Sequence, residues 1–196
     1  QRAIELSRLA ANPVGFEPGR RVAILGPTAV AQIVRTMAYA YFEDMVEGGG
    51  SPLSKSPVMG GNRLNERVFD ERIGFVSDPA DPDGGYPPFY NDTYMGIYQV
   101  GIPVHRIQWV SRGVLKSLIY RIGSALAKGR QYHMSPTSVR LLPEEGTTTH
   151  TLDEMIAGCE LGIYVNRFSN LNVADYQSGM LTGVTRDGCF LIKNGK

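Results

Sequence analysis

The sequence predicts an α+β chain in which strands outnumber helices, and three stretches carry this prediction. Residues 20–25 predict a strand with an apolar core at 22–25, and residues 29–46 place apolar side chains at helical spacing, as a strand, a turn and a helix do. Residues 102–118 alternate on both sides of a Ser-Arg-Gly turn, which indicates a β-hairpin. Residues 160–196 hold two further strand-like runs, at 161–165 and 189–192.

The first 18 residues predict a linker. A short helical pattern formed by Ile4, Leu6 and Leu9 is followed by Asn-Pro and Pro-Gly turns. Because the chain begins without a methionine, we expect it to be a fragment in which residues 1–18 join a missing amino-terminal domain to a domain at 19–196. Thr28 is the expected N-cap of the helix at 29–46.

Polar segments separate the remaining predicted elements. Glycine, serine and proline at 48–61 predict a mobile loop, and aspartate and proline at 77–85 predict turns more than a calcium site. A strand is expected at 72–76, a helix at 117–128 capped by Gly129, and a strand at 139–142. Thr151 should cap a helix at 152–157, residues 166–188 predict a polar loop, and Asn194-Gly195 should close a further hairpin.

Composition and charge narrow the function classes. With 196 residues, 42% of them hydrophobic and 20% charged, the chain reads as a globular protein. Its formal net charge of +1 provides no basic field for nucleic acid. No apolar run has the length of a membrane span, and no secretory signal opens the chain. We therefore expect a cytoplasmic protein in which Cys159 and Cys189 are two free, buried thiols, with a disulfide as the alternative.

The candidate catalytic side chains lack supporting groups. His105 is expected on a strand face near Trp109, His133 has no His, Cys or carboxylate at ligand spacing, and His150 is expected to be exposed. Glu43 and Asp44 read as a solvated helix face. The adjacent pair at positions 54 and 55 lacks the Ser-x-x-Lys spacing of a nucleophile and its base.

The carboxy-terminal stretch resembles a known family. Gly-Ile-Tyr-Val at 162–165, Asn-Val at 172–173, Ser-Gly at 178–179 and Phe-Leu-Ile-Lys-Asn-Gly-Lys at 190–196 are similar to the carboxy-terminal signature of the TldD/PmbA (TldE) family. Five further segments resemble the family and occur in its order: the strand and helix at 20–46, the Ser-Gly loop at 48–61, the acidic turn at 77–85, the Gly-Val-Leu hairpin at 102–118 and the Leu-Asp-Glu-Met-Ile helix. These proteins were first called modulators of DNA gyrase and are understood as zinc-peptidase subunits. The resemblance implies an α+β carboxy-terminal domain with mixed and antiparallel sheets, and it makes Lys196 a truncation or an early end.

The same resemblance bears on the metal site. The catalytic branch carries His-Glu-x-x-x-His on the helix that follows the first strand, and this chain has Arg35, Thr36 and Ala40 at those three positions. It therefore resembles the PmbA/TldE-like branch, which implies neither zinc ligand nor catalytic base here, and zinc in a partner subunit. Family loops at the place of Ser51, Ser54 and Lys55 lie over a peptide cleft, which implies the same position for these three residues.

The expected function is that of a non-catalytic subunit of a TldD/TldE-type zinc metallopeptidase that processes unfolded peptides. Its expected partner is a TldD-like, zinc-bearing subunit, a second copy of itself, or both, and it should have no activity alone. Two alternatives stay open. One is an autonomous hydrolase that uses Ser51, Ser54 or Cys159, and the other is a regulatory binding module without a peptidase partner.

Overall fold

The computed structural model describes residues 2–83, 89–94, 97–132 and 139–196, and its elements confirm the α+β class. The helices are α1 (Arg2–Leu9), α2 (Pro27–Thr36), a 3₁₀ helix (Met37–Tyr41), α3 (Glu43–Glu47), α4 (Ile122–Lys128) and α5 (Leu152–Ala157). The strands are β1 (Val22–Leu25), β2 (Ser54–Ser56), β3 (Gly60–Asn62), β4 (Ile73–Ser77), β5 (Phe89–Tyr94), β6 (Ile97–Pro103), β7 (Ile107–Ser111), β8 (Val114–Leu115), β9 (Val139–Pro143), β10 (Leu161–Asp175) and β11 (Met180–Lys193).

The chain divides into two compact units. The first unit contains the residues up to Met37 together with Thr148–Asp175 and Met180–Lys196, and the second contains Ala38–Thr147 and Tyr176–Gly179. The strand predicted at 20–25, the first part of the predicted helix and the predicted strands at 161–165 and 189–192 thus belong to the first unit. Residues 38–46 of the predicted helix and the predicted hairpin at 102–118 belong to the second.

The first unit is built on a three-stranded mixed sheet in the order β1-β10-β11. β1 runs parallel to β10, with Val22 opposite Gly162, and β10 runs antiparallel to β11. Gln32 of α2 fastens the helix to β10, because its side chain donates to the carbonyl of Phe168 and accepts from the amide of the same residue, at 2.9 and 2.8 Å. One buried cluster in this unit is formed by Ile24, Cys159, Tyr164 and Ile192.

The polar loop predicted at 166–188 is wrong, because most of these residues extend β10 and β11 into a long antiparallel ribbon. Asn170 and Asp187 adopt left-handed backbone angles, with φ of 51° and 56°, and pairing shifts register in their neighbourhood. Asparagine and aspartate tolerate this conformation better than most residues. Residues that resemble turn signals therefore form bulges inside strands. Asn194 and Gly195 make the predicted tight turn, with φ of 50° and 76°.

The second unit contains the four-stranded antiparallel sheet β8-β7-β4-β9 and the two-stranded pairs β2-β3 and β5-β6. Trp109 of β7 is fully buried and donates its indole N–H to the hydroxyl of Ser77, 2.8 Å away. Its ring meets that of Tyr41 edge to face. The predicted hairpin around Gly113 is confirmed by the pairing of β7 with β8.

The single helix predicted at 29–46 is wrong. α2 ends at Thr36, a 3₁₀ helix follows, and α3 begins only at Glu43. Between them Phe42 has extended backbone angles, φ −66° and ψ 124°, and forms a β-bridge with Ile119. Thr28 is not the N-cap either, because α2 begins at Pro27 after Gly26, and proline suits the first helical position.

Several smaller predictions have clear outcomes. Thr151 caps α5, as predicted, and the structure adds that it does so in a reciprocal capping box with Glu154. α4 begins at Ile122, later than predicted, and ends at the left-handed Gly129 that was expected to cap it. The acidic stretch forms turns, since carboxylates at 78 and 81 accept from amides two residues on. Residues 84 and 85 of that stretch lie outside the described residues.

Some of the predictions for histidine and cysteine are confirmed and others are wrong. His150 is exposed, as expected, while His105 is exposed in the segment before β7 and not on a strand face. The prediction for His133 lies outside the described residues. Both thiols are free, but Cys189 is exposed, so only Cys159 is a buried thiol. No helix among the described residues is long and apolar enough to cross a membrane.

Candidate functional site

The three residues that the family resemblance assigns to the zinc-motif position are Arg35, Thr36 and Ala40. Arg35 is exposed and Thr36 half-buried in the last turn of α2, which belongs to the first unit. Ala40 lies in the 3₁₀ helix of the second unit and is 2% exposed. The hydroxyl of Ser51 donates to the Ala40 carbonyl at 2.7 Å. The backbone at Ala40 is thus fixed by packing and by a hydrogen bond.

These residues do not fit a zinc ion. Zinc in proteins takes imidazole, thiolate or carboxylate ligands, and a guanidinium, a hydroxyl and a methyl group at these positions supply none of them. Ala40 is also so closely packed that an imidazole in its place would displace its neighbours. Across the described part of the chain, no group of three or more His, Cys, Asp and Glu side chains is arranged to hold a metal ion.

The segment predicted as a cleft loop is a hairpin, in which β2 and β3 pair Ser54 with Asn62 and Ser56 with Gly60. Ser51, just before it, is 3% exposed and also accepts from the amide of Leu53 at 3.0 Å. A mobile loop is therefore wrong for this stretch. Its strands are paired and its entry is buried.

The other two residues predicted for the cleft differ in their surroundings. The hydroxyl of Ser54 donates to the carbonyl of Val46 in α3 at 2.7 Å. Lys55 is exposed and forms an ion pair with Glu66 at 3.2 Å. The hydroxyls of Ser51 and Ser54 thus both donate to backbone carbonyls. This is a structural use, and neither hydroxyl donates to a base that would activate it for catalysis.

A buried carboxylate in α3 was missed by sequence reasoning. Glu43, expected on a solvated face, is 8% exposed, accepts from the hydroxyl of Ser124 at 2.7 Å and is ion-paired with Lys128. Burial opposes ionisation, but the hydrogen bonds from Lys128 and Ser124 outweigh it and lower the pKa of Glu43 below its ordinary value. The partners lie more than eighty positions along the chain, so no local pattern announces them.

Two projecting turns meet in the second unit and form what we call the tip surface: Val58 and Met59 of the β2–β3 hairpin, with Tyr176 of the ribbon turn. Val58 and Met59 are each 89% exposed, and Tyr176 is 52% exposed. The ribbon turn contacts the hairpin where Gln177 donates to the carbonyl of Pro57, 3.4 Å away. Large apolar side chains exposed in one place mark surfaces that bind other molecules.

Tyr39 holds the ribbon turn in position. Its hydroxyl donates to the Tyr176 carbonyl at 3.2 Å, and the two rings meet edge to face with centroids 4.8 Å apart. An aromatic pair of this geometry stabilises by roughly 1 kcal/mol beyond its buried area. The ribbon-turn part of the tip surface is thus held by a hydrogen bond and an aromatic contact.

Comparison with known proteins places this architecture in a family. The profile of the PmbA/TldA metallopeptidase C-terminal domain matches residues 18–196. A metalloprotease of Archaeoglobus fulgidus is 29% identical over 143 residues, which are 68% of this chain and 31% of that protein. This chain therefore spans about a third of the length of its curated relative.

Solved structures share the fold. TldE from Thermococcus kodakarensis superposes with a TM-score of 0.76 at 18% identity, over 100% of this chain and 43% of its own. A candidate modulator of DNA gyrase from Bacteroides thetaiotaomicron gives 0.65 at 24% identity, over 91% and 36%. A similar protein from Thermotoga maritima gives 0.66 at 16% identity, over 92% and 40%.

The chain is thus a carboxy-terminal domain of metallopeptidase type. It belongs to the PmbA/TldD family. The family resemblance seen in the sequence is confirmed, and so is the α+β fold with mixed and antiparallel sheets.

Proposed function

We propose that this chain is a non-catalytic, PmbA/TldE-like subunit of a zinc metallopeptidase that processes unfolded peptides. The observation that carries the proposal is the set Arg35, Thr36 and Ala40 at the motif position. A zinc peptidase needs ligands for the metal and a base for the bound water. Since this chain offers neither at that position, both have to come from a zinc-bearing relative, and this chain contributes binding surface.

The tip surface supports this role. A subunit without ligands affects a peptidase through what it touches, and Val58 and Met59 project apolar side chains from a hairpin whose base is anchored. Contacts of this kind depend on the hydrophobicity and the extended conformation of a bound peptide more than on its sequence. Recognition should therefore depend on the substrate being unfolded.

The autonomous-hydrolase alternative finds little support in the geometry. Ser51 is buried with its hydroxyl committed to the Ala40 carbonyl, and Cys159 is buried in an apolar core. A nucleophile has to reach substrate and needs a base to activate it. The second alternative, a regulatory binding module without a peptidase partner, is distinguished from our proposal by measuring peptidase activity with a zinc-bearing partner.

The decisive experiment is reconstitution with a zinc-bearing TldD-like relative. The full-length parent alone should cleave nothing, and the mixture should form a heteromer that degrades an unstructured peptide and spares folded proteins. If the relative is equally active and equally selective without this chain, the subunit proposal is wrong. A homo-oligomer of this chain with peptidase activity would also overturn it.

A tip variant tests how the subunit acts. Replacing both Val58 and Met59 by serine should slow cleavage of the unstructured peptide without preventing assembly. Val184→Ser on the ribbon is the matched control, because Val184 is also exposed, at 59%. An unchanged rate in the double variant would remove the tip surface from the proposal.

A further inference from the structure

A shallow, open depression of about 480 Å³ lies on the second unit, where β7 meets the segment that follows β8. Its size falls in the range of small-molecule sites. The lining is polar except for Ile107, and it contains two cations, two hydroxyls and two amides: Arg106, Lys116, Ser111, Ser117, Gln108 and Gln131. It is distinct from the tip surface and shares no residue with it.

The charged residues that line the depression are all positive. No carboxylate lines it, and Lys116 has no ion-pair partner among the described residues. Arg106 pairs with Asp78 through its Nε atom at 3.3 Å, which occupies one of the five N–H donors of the guanidinium. Donors on both cations therefore remain available to an anion.

The floor of the depression is rigid. Gln108 donates through Nε2 to the carbonyl of Val110 at 2.6 Å, which fixes its amide and leaves Oε1 as an acceptor. The amide of Lys116 donates to the carbonyl of Trp109 at 2.8 Å, and Trp109 is fully buried. Binding here would need little ordering of the backbone, which lowers its entropic cost.

We propose that this depression binds a carboxylate of a peptide, with Arg106 and Lys116 on the anion and the Gln108 Oε1 atom on a peptide N–H. A peptide offers a carboxylate to the cations, an N–H to the amide acceptor and an apolar part to Ile107, whereas inorganic phosphate has no apolar part. An apolar floor residue, Ile107, also favours an organic ligand. The inference goes beyond the proposed function and does not require a zinc-bearing partner, so the chain alone can test it.

The carboxylate could belong to a peptide's carboxy terminus or to an acidic side chain, and the probes separate these sources. Titration calorimetry of the full-length chain would use four probes: acetyl-Ala-Ala-Ala with a free carboxy terminus, acetyl-Ala-Glu-Ala-amide, acetyl-Ala-Ala-Ala-amide and inorganic phosphate. We expect one or both carboxylate peptides to bind, and the neutral peptide and phosphate to bind at least tenfold more weakly. Phosphate binding as tight as the better peptide would overturn the peptide assignment.

The variants locate the site. Lys116→Ala should weaken binding of the carboxylate peptide about tenfold, as expected for the loss of one charge-assisted hydrogen bond. Arg106→Lys keeps the charge and should retain part of the affinity. Lys193→Ala, which removes another exposed lysine in the first unit, is the control for net charge. Equal weakening by Lys193→Ala, or none by Lys116→Ala, would contradict the site.

Discussion

Two stretches whose composition is typical of polar loops, residues 48–61 and 166–188, both form antiparallel hairpins but are held in different ways. The β2–β3 hairpin is short and depends on its surroundings, because Ser51 and Leu53 are buried at its entry and Ser54 bonds to α3. The ribbon has a long ladder of paired residues and mostly exposed side chains along its polar part. The first is fixed by tertiary contacts and the second by its own backbone.

This difference predicts unequal tolerance to substitution. A short hairpin has few ladder hydrogen bonds, so each tertiary anchor carries a large share of its stability. A long ribbon distributes its stability over many pairs and already contains bulges that absorb irregularity. Changes in the β2–β3 hairpin should therefore cost more free energy of unfolding than similar changes in the ribbon.

The largest effect is expected from Gly60→Ala. Gly60 has φ of +67°, and a Cβ atom there would lie 1.7 Å from the backbone carbonyl oxygen of Glu47. Since neither atom is a flexible side-chain end, the hairpin would have to move off α3. We expect a loss of roughly 3 kcal/mol or more in the free energy of unfolding, measured by urea titration.

Gly61→Ala is the matched control for that change. Its φ is also positive, +85°, but its nearest neighbour would be the Lys55 Cβ at 3.8 Å. It should cost only the backbone strain of a left-handed alanine, roughly 1–2 kcal/mol. Gly183→Ala in the ribbon, 3.1 Å from a Leu171 methyl, should cost less than Gly60→Ala. Equal losses at 60 and 61 would show that the hairpin is not anchored by close backbone packing.

A second, smaller effect is expected from Ser51→Ala. The change removes a buried hydroxyl that donates to Ala40 and accepts from Leu53, and it leaves two buried backbone groups unpaired. The cost should be about 1–3 kcal/mol. Thr182→Ala on the ribbon, an exposed hydroxyl, should change stability by less than about 0.5 kcal/mol.

The Ser51→Ala variant also distinguishes a structural role of this hydroxyl from a catalytic one. The heteromer reconstituted with Ser51→Ala should keep its peptidase rate within a few-fold when corrected for the folded fraction. A thousandfold loss of rate with a small loss of stability would instead favour the hydrolase alternative.

The sequence predicted elements best where local chemistry decides them. The N-cap at Thr151 and the hairpin at Gly113 are each specified within a few residues, and both are confirmed. The break at Phe42 depends on a bridge to Ile119, and the ribbon depends on pairing with distant residues. Apolar periodicity continues across Phe42, and bulge residues look like turn residues, so neither feature has a local signal.

The candidate site likewise has features that the sequence indicates and features that depend on distant contacts. The assignment of Arg35, Thr36 and Ala40 to the motif position is a prediction that follows from the family resemblance in the sequence. The tip surface is not, because it requires Gln177 to meet Pro57 across more than a hundred positions. The burial of Glu43 was missed for the same reason, since its partner Lys128 lies on another helix.

The smallest effect expected concerns this buried pair and the pH dependence of stability. The pKa of Glu43 is lowered below its ordinary value of 4.5, so the stabilisation is present above pH 4.5 and is lost as the pH falls through the lowered value. Glu43→Gln removes this contribution. The parent should therefore lose more stability than Glu43→Gln when the pH is lowered from about 6 to about 3.

The ribbon again supplies the control for this prediction. Asp187 pairs with Arg167, but its side chain is 52% exposed, and solvent screening makes such pairs weak. Asp187→Asn should change the free energy of unfolding at about pH 6 by less than Glu43→Gln does. The Glu43 effect should still be smaller than that of Ser51→Ala, because Lys128 is itself 47% exposed. Parallel urea titrations at both pH values measure the free energies of unfolding. Equal losses of stability on acidification for the parent and Glu43→Gln would mean that the Glu43 carboxylate gains nothing from Lys128 and Ser124.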